Sequence, residues 1–327
     1  MKVLLTGGNG FVGSHVAEAL LTAGISTVLL LRHGSSREFL QTVEPRFEVR
    51  LGALDDPASL RAALHGITHV IHAAGSTKAL NTAGYFAVNQ QGTRALVEAA
   101  NEPGTQVRRF LLVSSLAAAH PATADSPARE VDAPQPVSDY GRSKLAGEEA
   151  VRQHCRSEFI IIRPPAVYGP RDREFLRLFR AVKAGVCPRF GGGTQPLSLV
   201  YVADLAEVIV GCLLHPKAAG QTYFAAHPEM QTAASLTREI ARTLHRRVWM
   251  PRLPQATLAV VCAAQEVLSQ LTRRPSVVNW QKYRELVAPG WTCSPAKLAE
   301  DTGLTCPTPL QDGLARTAAW YRAAGWL

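Results

Sequence analysis

Short apolar runs and stretches of helical spacing alternate along the first half of the chain. KVLLT (2–6) stops at glycines and reads as a strand buried on both faces. SHVAEALLTAG follows with apolar positions at Val16, Leu20 and Leu21, a helix that ends at Gly24. STVLLLR (26–32), FEVRLGAL (47–54), HVIHAAG (69–75), RRFLLVSS (108–115) and EFIIIRP (158–164) predict five more strands. Helices are expected over 56–66, with Pro57 in the first turn, over about 85–102, and from Asp139 onward. Alternation of this kind predicts βαβ units and a doubly wound parallel α/β sheet, the Rossmann architecture.

After Pro164 the pattern loosens. Prolines punctuate 170–196 around a Gly191-Gly192-Gly193 run, 198–214 reads as a strand end and a helix, and beyond about 228 the chain is mostly helical. The expected division is a nucleotide-binding domain of residues 1–165 plus about 196–226, and a smaller substrate lobe of about 166–195 and 227–327. In that lobe Leu253, Leu258, Val260, Val261, Val267, Leu268 and Leu271 fall at helix-like spacing. Core packing is the expected use of this stripe, with a greasy cleft wall or a shallow membrane contact as the sharper alternative.

Composition narrows the function classes. The 327 residues are 46% hydrophobic and 19% charged, an ordinary globular balance. The formal charge is +9, but the basic residues are scattered singly or in doublets such as Arg108-Arg109, Arg246-Arg247 and Arg273-Arg274. With no groove-reading motif beside them, nucleic acid is not an expected partner. Cysteines 155, 187, 212, 262, 293 and 306 form no C-x-x-C pair, as expected of reduced thiols in a cytoplasmic protein without a metal site. The N-terminal apolar run is too short for a signal-peptide core, and no run of 18 apolar residues occurs; Gln265 and Glu266 interrupt the nearest approach, Ala256 to Leu271.

The candidate chemistry begins at Thr6-Gly7-Gly8-Asn9-Gly10-Phe11-Val12-Gly13, between the first strand and the first helix. Gly7 suits a tight turn, Gly10 lets the backbone approach a pyrophosphate, and Gly13 allows close helix–strand packing. The diphosphate of a dinucleotide then sits on the N–H groups of a helix N-terminus. The second strand ends Leu31-Arg32-His33-Gly34-Ser35-Ser36-Arg37 with no acid to take a ribose hydroxyl. Arg32, helped by Ser35 and Arg37, suits a 2′-phosphate, so NADP is favoured over NAD. Tyr140-Gly141-Arg142-Ser143-Lys144 sets a phenol and an amine on one helix face, where an ammonium is expected to lower the phenol pKa and make Tyr140 a general acid/base. Ser114 and Ser115 add hydroxyls at the end of the fifth strand.

Together, TGGNGFVG (6–13), HAAG (72–75), VNQQGT (88–93), VSS (113–115), YGRSK (140–144), RPPAVYGP (163–170) and VYVADLA (200–206) resemble the extended short-chain dehydrogenase/reductase superfamily, also called the NAD-dependent epimerase/dehydratase family. The resemblance spans nearly the whole chain. It implies that Ser115 hydrogen-bonds the substrate oxygen, that Tyr140 is the acid/base, and that Lys144 holds the nicotinamide ribose. It further implies that Asn89 lies near the cofactor, that Ala73 and Ala74 pass close to it, and that Pro164 to Val167 contact the nicotinamide carboxamide side. Where many members have an Asp for adenine, this chain has Ala53, which leaves the backbone near Leu54. Leu116-Ala117-Ala118 after Ser115 replaces the acidic pair of dehydratases. Leu197 stands where nucleotide-sugar members carry a diphosphate-gripping Arg, for which Arg171 or Arg173 would have to substitute. The tail from WTCSPAKLAEDTGL (291–304) resembles dihydroflavonol-reductase-like and 3β-hydroxysteroid-dehydrogenase-like members.

The expected activity is hydride transfer between a nicotinamide and a ketone or secondary alcohol on a largely apolar small molecule. Alternatives are a nucleotide-sugar epimerase and a non-catalytic cofactor-binding subunit, although the latter usually loses the Tyr or the Lys. A homodimer through helices 85–102 and 139–153 is a further expectation.

Overall fold

The computed structural model describes residues 1–41, 46–190, 194–272 and 280–327. The glycine run at 191–193 and the Arg273-Arg274 doublet lie outside the described residues, as do the side chains of Val267, Leu268 and Leu271.

The chain runs β1 (Lys2–Thr6), α1 (Phe11–Thr22), β2 (Ser26–Leu31), β3 (Glu48–Leu51), α2 (Pro57–Leu64) and β4 (His69–His72). Next come α3 (Thr82–Phe86), a π-helical turn (Ala87–Gly92), α4 (Thr93–Ala100), β5 (Arg109–Val113), α5 (Asp139–His154) and β6 (Glu158–Arg163). Then follow β7 (Ala166–Tyr168), α6 (Arg173–Lys183), β8 (Arg189–Phe190), β9 (Pro196–Leu197), β10 (Leu199–Tyr201), α7 (Val202–Leu214) and β11 (Gln221–Phe224). The remainder is β12 (Gln231–Thr232), α8 (Ala233–Thr243), β13 (Arg252–Leu253), α9 (Gln255–Thr272), α10 (Trp280–Val287), α11 (Ala296–Thr302) and α12 (Leu310–Ala323).

Seven parallel strands form the main sheet in the order β11-β6-β5-β4-β1-β2-β3. Alternation along each strand sorts its side chains onto two faces. Val3, Leu5, Leu29, Ile71, Leu111 and Ile162 pack against Val16 and Leu20 of α1 and Leu205 and Ile209 of α7. Leu4, Val28, Val70, Phe110, Leu112 and Ile161 pack against Leu60 of α2, Leu96 and Val97 of α4 and Val151 of α5. The apolar sides of α4 and α5 are therefore used within the protomer. A separate cluster joins Phe179 of α6, Ile240 of α8 and Leu314 and Tyr321 of α12.

The sheet differs from the predicted six strands by β11, which pairs with β6 in the register Gln221↔Ile160 to Phe224↔Arg163. The run FEVRLGAL is strand only over Glu48–Leu51, because Gly52 and the Asp56-capped start of α2 turn the chain. The loop at 117–138 is tied down: Ala122 and Ala128 donate backbone hydrogen bonds to Gly290 and Thr292. No described helix is long and apolar enough to cross a membrane. All six cysteines are free thiols. Burial pushes Cys212 and Cys293 up to about 12, which keeps these thiols protonated and inert.

Strand order reverses between β1 and β4. The crevice beyond the carboxyl ends of the strands at this switch point is where ligands bind in open α/β sheets. The glycine loop, Ala73 to Gly75 and Ser115 leave the sheet at that edge.

Candidate active site

The glycine loop is shaped as its spacing predicts. Gly7 has φ +71°, and a Cβ there would lie 2.6 Å from the Ala74 nitrogen, so only glycine allows the loop to touch the end of β4. Gly10 is the N-cap of α1 and brings no side chain to its N–H groups, and the first turn carries no acid. An anion is the natural partner of such an end. Asn9, expected at the cofactor, donates from Nδ2 to the Ser36 carbonyl at 3.0 Å and holds the loop after β2 beside the glycines. Arg32 is exposed in that loop, two residues past Leu30, which is level with Thr6. A dinucleotide fits these features: α1 and the glycine loop would hold the diphosphate, and the Arg32 loop the adenosine ribose.

Ala74 donates its N–H to the Thr6 hydroxyl at 3.2 Å, and Ala73 to the Thr6 carbonyl at the same distance. Buried His72 bridges Thr6 and Thr93 through its two ring nitrogens, at 2.7 and 3.0 Å. Burial, and then the Lys144 charge, lower its pKa to about 3, so the ring is neutral. Leu54 turns its side chain toward Gly92. Asn89 spans from the β4 loop to α5: its Nδ2 donates to the Ser76 carbonyl and the Ser143 hydroxyl, each at 2.9 Å, and its Oδ1 accepts from the Ser76 N–H at 2.8 Å. It is a strut beside Gly75, to which the Lys144 ammonium is also close.

Ser115, two residues past β5, caps the short 3₁₀ turn Leu116–Ala118, its Oγ accepting from the Ala117 N–H at 3.1 Å. The neighbouring Leu116 N–H donates to the Pro164 carbonyl at 2.8 Å, which sets Pro164 beside Ser115. Val167 lies just beyond, paired with Val200. Tyr140, in the first turn of α5, is half-buried with its phenol beside the Ser115 side chain. The approach depends on Gly141, where a Cβ would stand 2.2 Å from the Ala117 carbonyl oxygen. Gly141→Ala is expected to push the start of α5 off this turn and separate Tyr140 from Ser115. A displacement near 1 Å costs about 10²-fold in turnover, which steady-state kinetics beside a thermal melt would detect.

Lys144 is buried and donates from Nζ to the Val113 carbonyl at 2.7 Å. Burial brings its pKa down to about 8, against the attraction of Glu148. The expected depression of the Tyr140 pKa by Lys144 is not what the structure has. Burial drives the phenol up to about 12 despite the Ser115 side chain beside it, and the charges that act on it are those of Glu285 and Tyr85, both raising it. The ammonium is directed at Val113 instead.

Three features escaped the sequence reading. Tyr85 packs its ring 6.3 Å from that of Tyr140. Glu285 reaches Tyr140 electrostatically from α10, a helix far away in sequence. Beneath Lys144, the fully buried Glu148 accepts from Ser114 Oγ at 2.5 Å, from Arg163 Nε and Nη2 at 2.8 and 2.7 Å, and from Arg152 at 3.0 Å. Burial alone would raise the Glu148 pKa, but Arg163 and Ser114 outweigh it and hold the carboxyl below its ordinary value. The signal for this network was an Arg closing the apolar strand EFIIIR and an acid one turn after Lys144.

Arg171 and Arg173, the two cations that would have to grip a sugar-nucleotide diphosphate, are engaged elsewhere. Arg171 adopts φ +73° and donates to Ser14 Oγ at 3.1 Å and to Glu18 of α1. Arg173 pairs with Glu38 at 2.8 Å and lies over the Trp326 ring.

Known proteins share this fold. The profile of the NAD dependent epimerase/dehydratase family matches residues 3–226. The chain belongs to the NAD dependent epimerase/dehydratase family. Within and around this epimerase/dehydratase family, it is 36% identical over 326 residues to a ceramide reductase of Caulobacter vibrioides, covering 99% of this chain and 96% of that one. It is 31% identical over 266 residues to a UDP-glucose 4-epimerase of Vibrio cholerae, covering 77% of this chain and 79% of the relative. The crystal structure of gox2253 superposes with a TM-score of 0.83 at 26% identity, over 99% of both chains. The protein is thus an NAD-dependent enzyme of the short-chain dehydrogenase/reductase type, with reductases and epimerases among its epimerase/dehydratase relatives.

Proposed function

We propose that the protein is an NADP(H)-dependent reductase of a ketone on a largely apolar, lipid-like molecule. The observation that carries this reading is the adjacent Ser115–Tyr140 pair, with Lys144 beside it, at the sheet edge that also holds the glycine loop. A nicotinamide dinucleotide, when bound, supplies the hydride for the carbonyl carbon. Ser115 Oγ orients the carbonyl oxygen, and Tyr140 Oη gives that oxygen its proton, so that C=O becomes CH–OH. A phenol held up at about 12 keeps its proton at neutral pH, which suits the acid role in reduction. Lys144, in reach of the same strand end, is placed to hold a ribose hydroxyl and to return positive charge as Tyr140 loses its proton.

The substrate class rests on two supports. With Arg171 and Arg173 occupied and Leu197 apolar, the cations considered for a nucleotide diphosphate are absent from the site, and a desolvated diphosphate needs one. A relative matched over nearly its whole length is named a ceramide reductase, which agrees with reduction and with a lipid substrate. An epimerase would use the same trio for transient oxidation, and the Vibrio cholerae relative keeps that reading as the competitor.

The test follows NADPH and NADH oxidation against a panel of apolar ketones. Oxidation that depends on Tyr140 is the expected result. Arg32→Ala should raise the KM for NADPH by about 10- to 100-fold, the loss of one charge-assisted hydrogen bond, and leave that for NADH unchanged. No oxidation of either cofactor, together with thermal stabilisation by UDP-sugars, would overturn the reductase in favour of the epimerase.

A further inference from the structure

Among the described residues, the predicted stripe in α9 divides between core and surface. Leu258 and Cys262, four residues apart, are buried, while Val260 is 69% exposed and Val261 41% exposed. Ala256, Ala263 and Ala264 are exposed as well, so much of the outward surface of this helix is apolar. The surface continues onto the preceding segment, where Trp249, 68% exposed, pairs with exposed Val186. α10, packed on α9, adds exposed Leu286. Half of the large apolar residues exposed in the described structure are these five, although the segment that carries them is a minor part of the chain.

The stretch between Glu239 and Glu266 carries charge of one sign. From Ile240 to Gln265 the sequence holds Arg242, Arg246, Arg247 and Arg252 and no acidic residue. Arg242 pairs with Glu239, whereas Arg246, Arg247 and Arg252 are exposed next to Trp249. An exposed Trp, exposed valines and alanines on a helix face and flanking arginines together match the interface of an anionic bilayer, in which apolar side chains enter the acyl boundary and arginines meet lipid phosphates.

We propose that the face formed by Trp249, Val260, Val261 and Leu286, rimmed by Arg246, Arg247 and Arg252, docks the protein on an anionic membrane surface. α10, which carries Leu286, also borders the candidate site, since its Glu285 acts on Tyr140. Docking stands on the surface alone. Its consequence, entry of a lipophilic ketone from the bilayer, rests on the reductase reading above.

Flotation of the full chain with vesicles of phosphatidylcholine, with and without phosphatidylglycerol, tests it. The protein should bind the phosphatidylglycerol vesicles more than about tenfold better, and salt should weaken that binding. The Trp249→Ser/Val260→Ser/Val261→Ser variant and the Arg246→Gln/Arg247→Gln/Arg252→Gln variant should each lose it. Val131→Ser, at an exposed apolar position elsewhere, should keep it. Unchanged melting and unchanged turnover of a water-soluble ketone establish that the variants are folded. Failure of the wild type to float, or flotation of the apolar variant as well as wild type, overturns the proposal. So does a solution dimer abolished by the apolar substitutions without any vesicle binding, which would assign the face to a second copy. Flotation without ketone turnover would overturn the reductase and leave the docking in place.

Discussion

Tyr140→Phe is expected to lower kcat for ketone reduction by about 10²- to 10⁴-fold, the usual worth of a placed proton donor, with dinucleotide binding intact. The phenyl ring keeps the packing against Tyr85, so a melt should show little change, and the loss reads the hydroxyl alone. The pH profile adds a second readout. Reduction needs the proton on Tyr140 and the charge on Lys144. With the phenol near 12 and the ammonium near 8, both conditions hold below about pH 8. Rising pH then removes the Lys144 charge first, and kcat/KM should fall through that range. In Lys144→Met the residual activity should lose this limb; a limb that persists would assign the titration to another group.

Glu148→Ala is expected to destabilise the fold by about 3–5 kcal/mol, because it strands a buried guanidinium. Arg163 is 3% exposed and directs two of its nitrogens at Glu148. The corresponding drop in melting temperature is on the order of 10 °C. A Glu148→Leu/Arg163→Met double variant should be less destabilised than the sum of the single changes, since the buried guanidinium is then removed together with its carboxylate. Additive losses would show that the ion pair is not the unit. The same variants bear on the site: Glu148 faces Lys144 and fixes Ser114 next to Ser115, so surviving turnover in Glu148→Ala should peak at lower pH as the Lys144 ammonium loses its support.

What the sequence made legible was whatever depends on short spacing. The glycine loop needs only a strand, a turn and a helix start, and the structure returns each, including the left-handed Gly7. The five-residue motif from Tyr140 to Lys144 fixes two side chains on one helix face. Contacts made by distant segments were not legible. Nothing near Tyr140 in sequence announces Tyr85 or Glu285, and nothing near Lys144 says that its Nζ turns to the Val113 carbonyl. The sign of the Tyr140 shift followed from that: spacing implied an ammonium beside the phenol, and packing made burial the larger effect. β11 was missed because QTYF is short and sits at the sheet margin, where a strand needs only one good neighbour. α6 was missed although Asp172 caps it and Leu176, Phe179 and Val182 repeat at helical spacing; the arginines between them masked the period. In α9 the period was legible but not which of its positions turn inward: among the described ones Leu258 is buried, while Val260 and Val261 face outward.

The place of β11 in the sheet has a consequence for synthesis. Ile160 to Arg163 emerge from the ribosome well before Gln221 to Phe224, the segment with which they pair. Until then the nascent nucleotide-binding half carries an open, strongly apolar strand edge, of the kind that recruits foreign strands. Its closure brings Phe224 over Arg163 and its N–H to Glu130 at 2.8 Å, which ties the sheet margin to the loop after Ser115. Vectorial folding of this chain therefore cannot finish at the end of the sixth strand. A nascent chain stalled short of residue 221 is the form that most needs chaperone protection, and release beyond it is the step at which the catalytic half becomes self-sufficient.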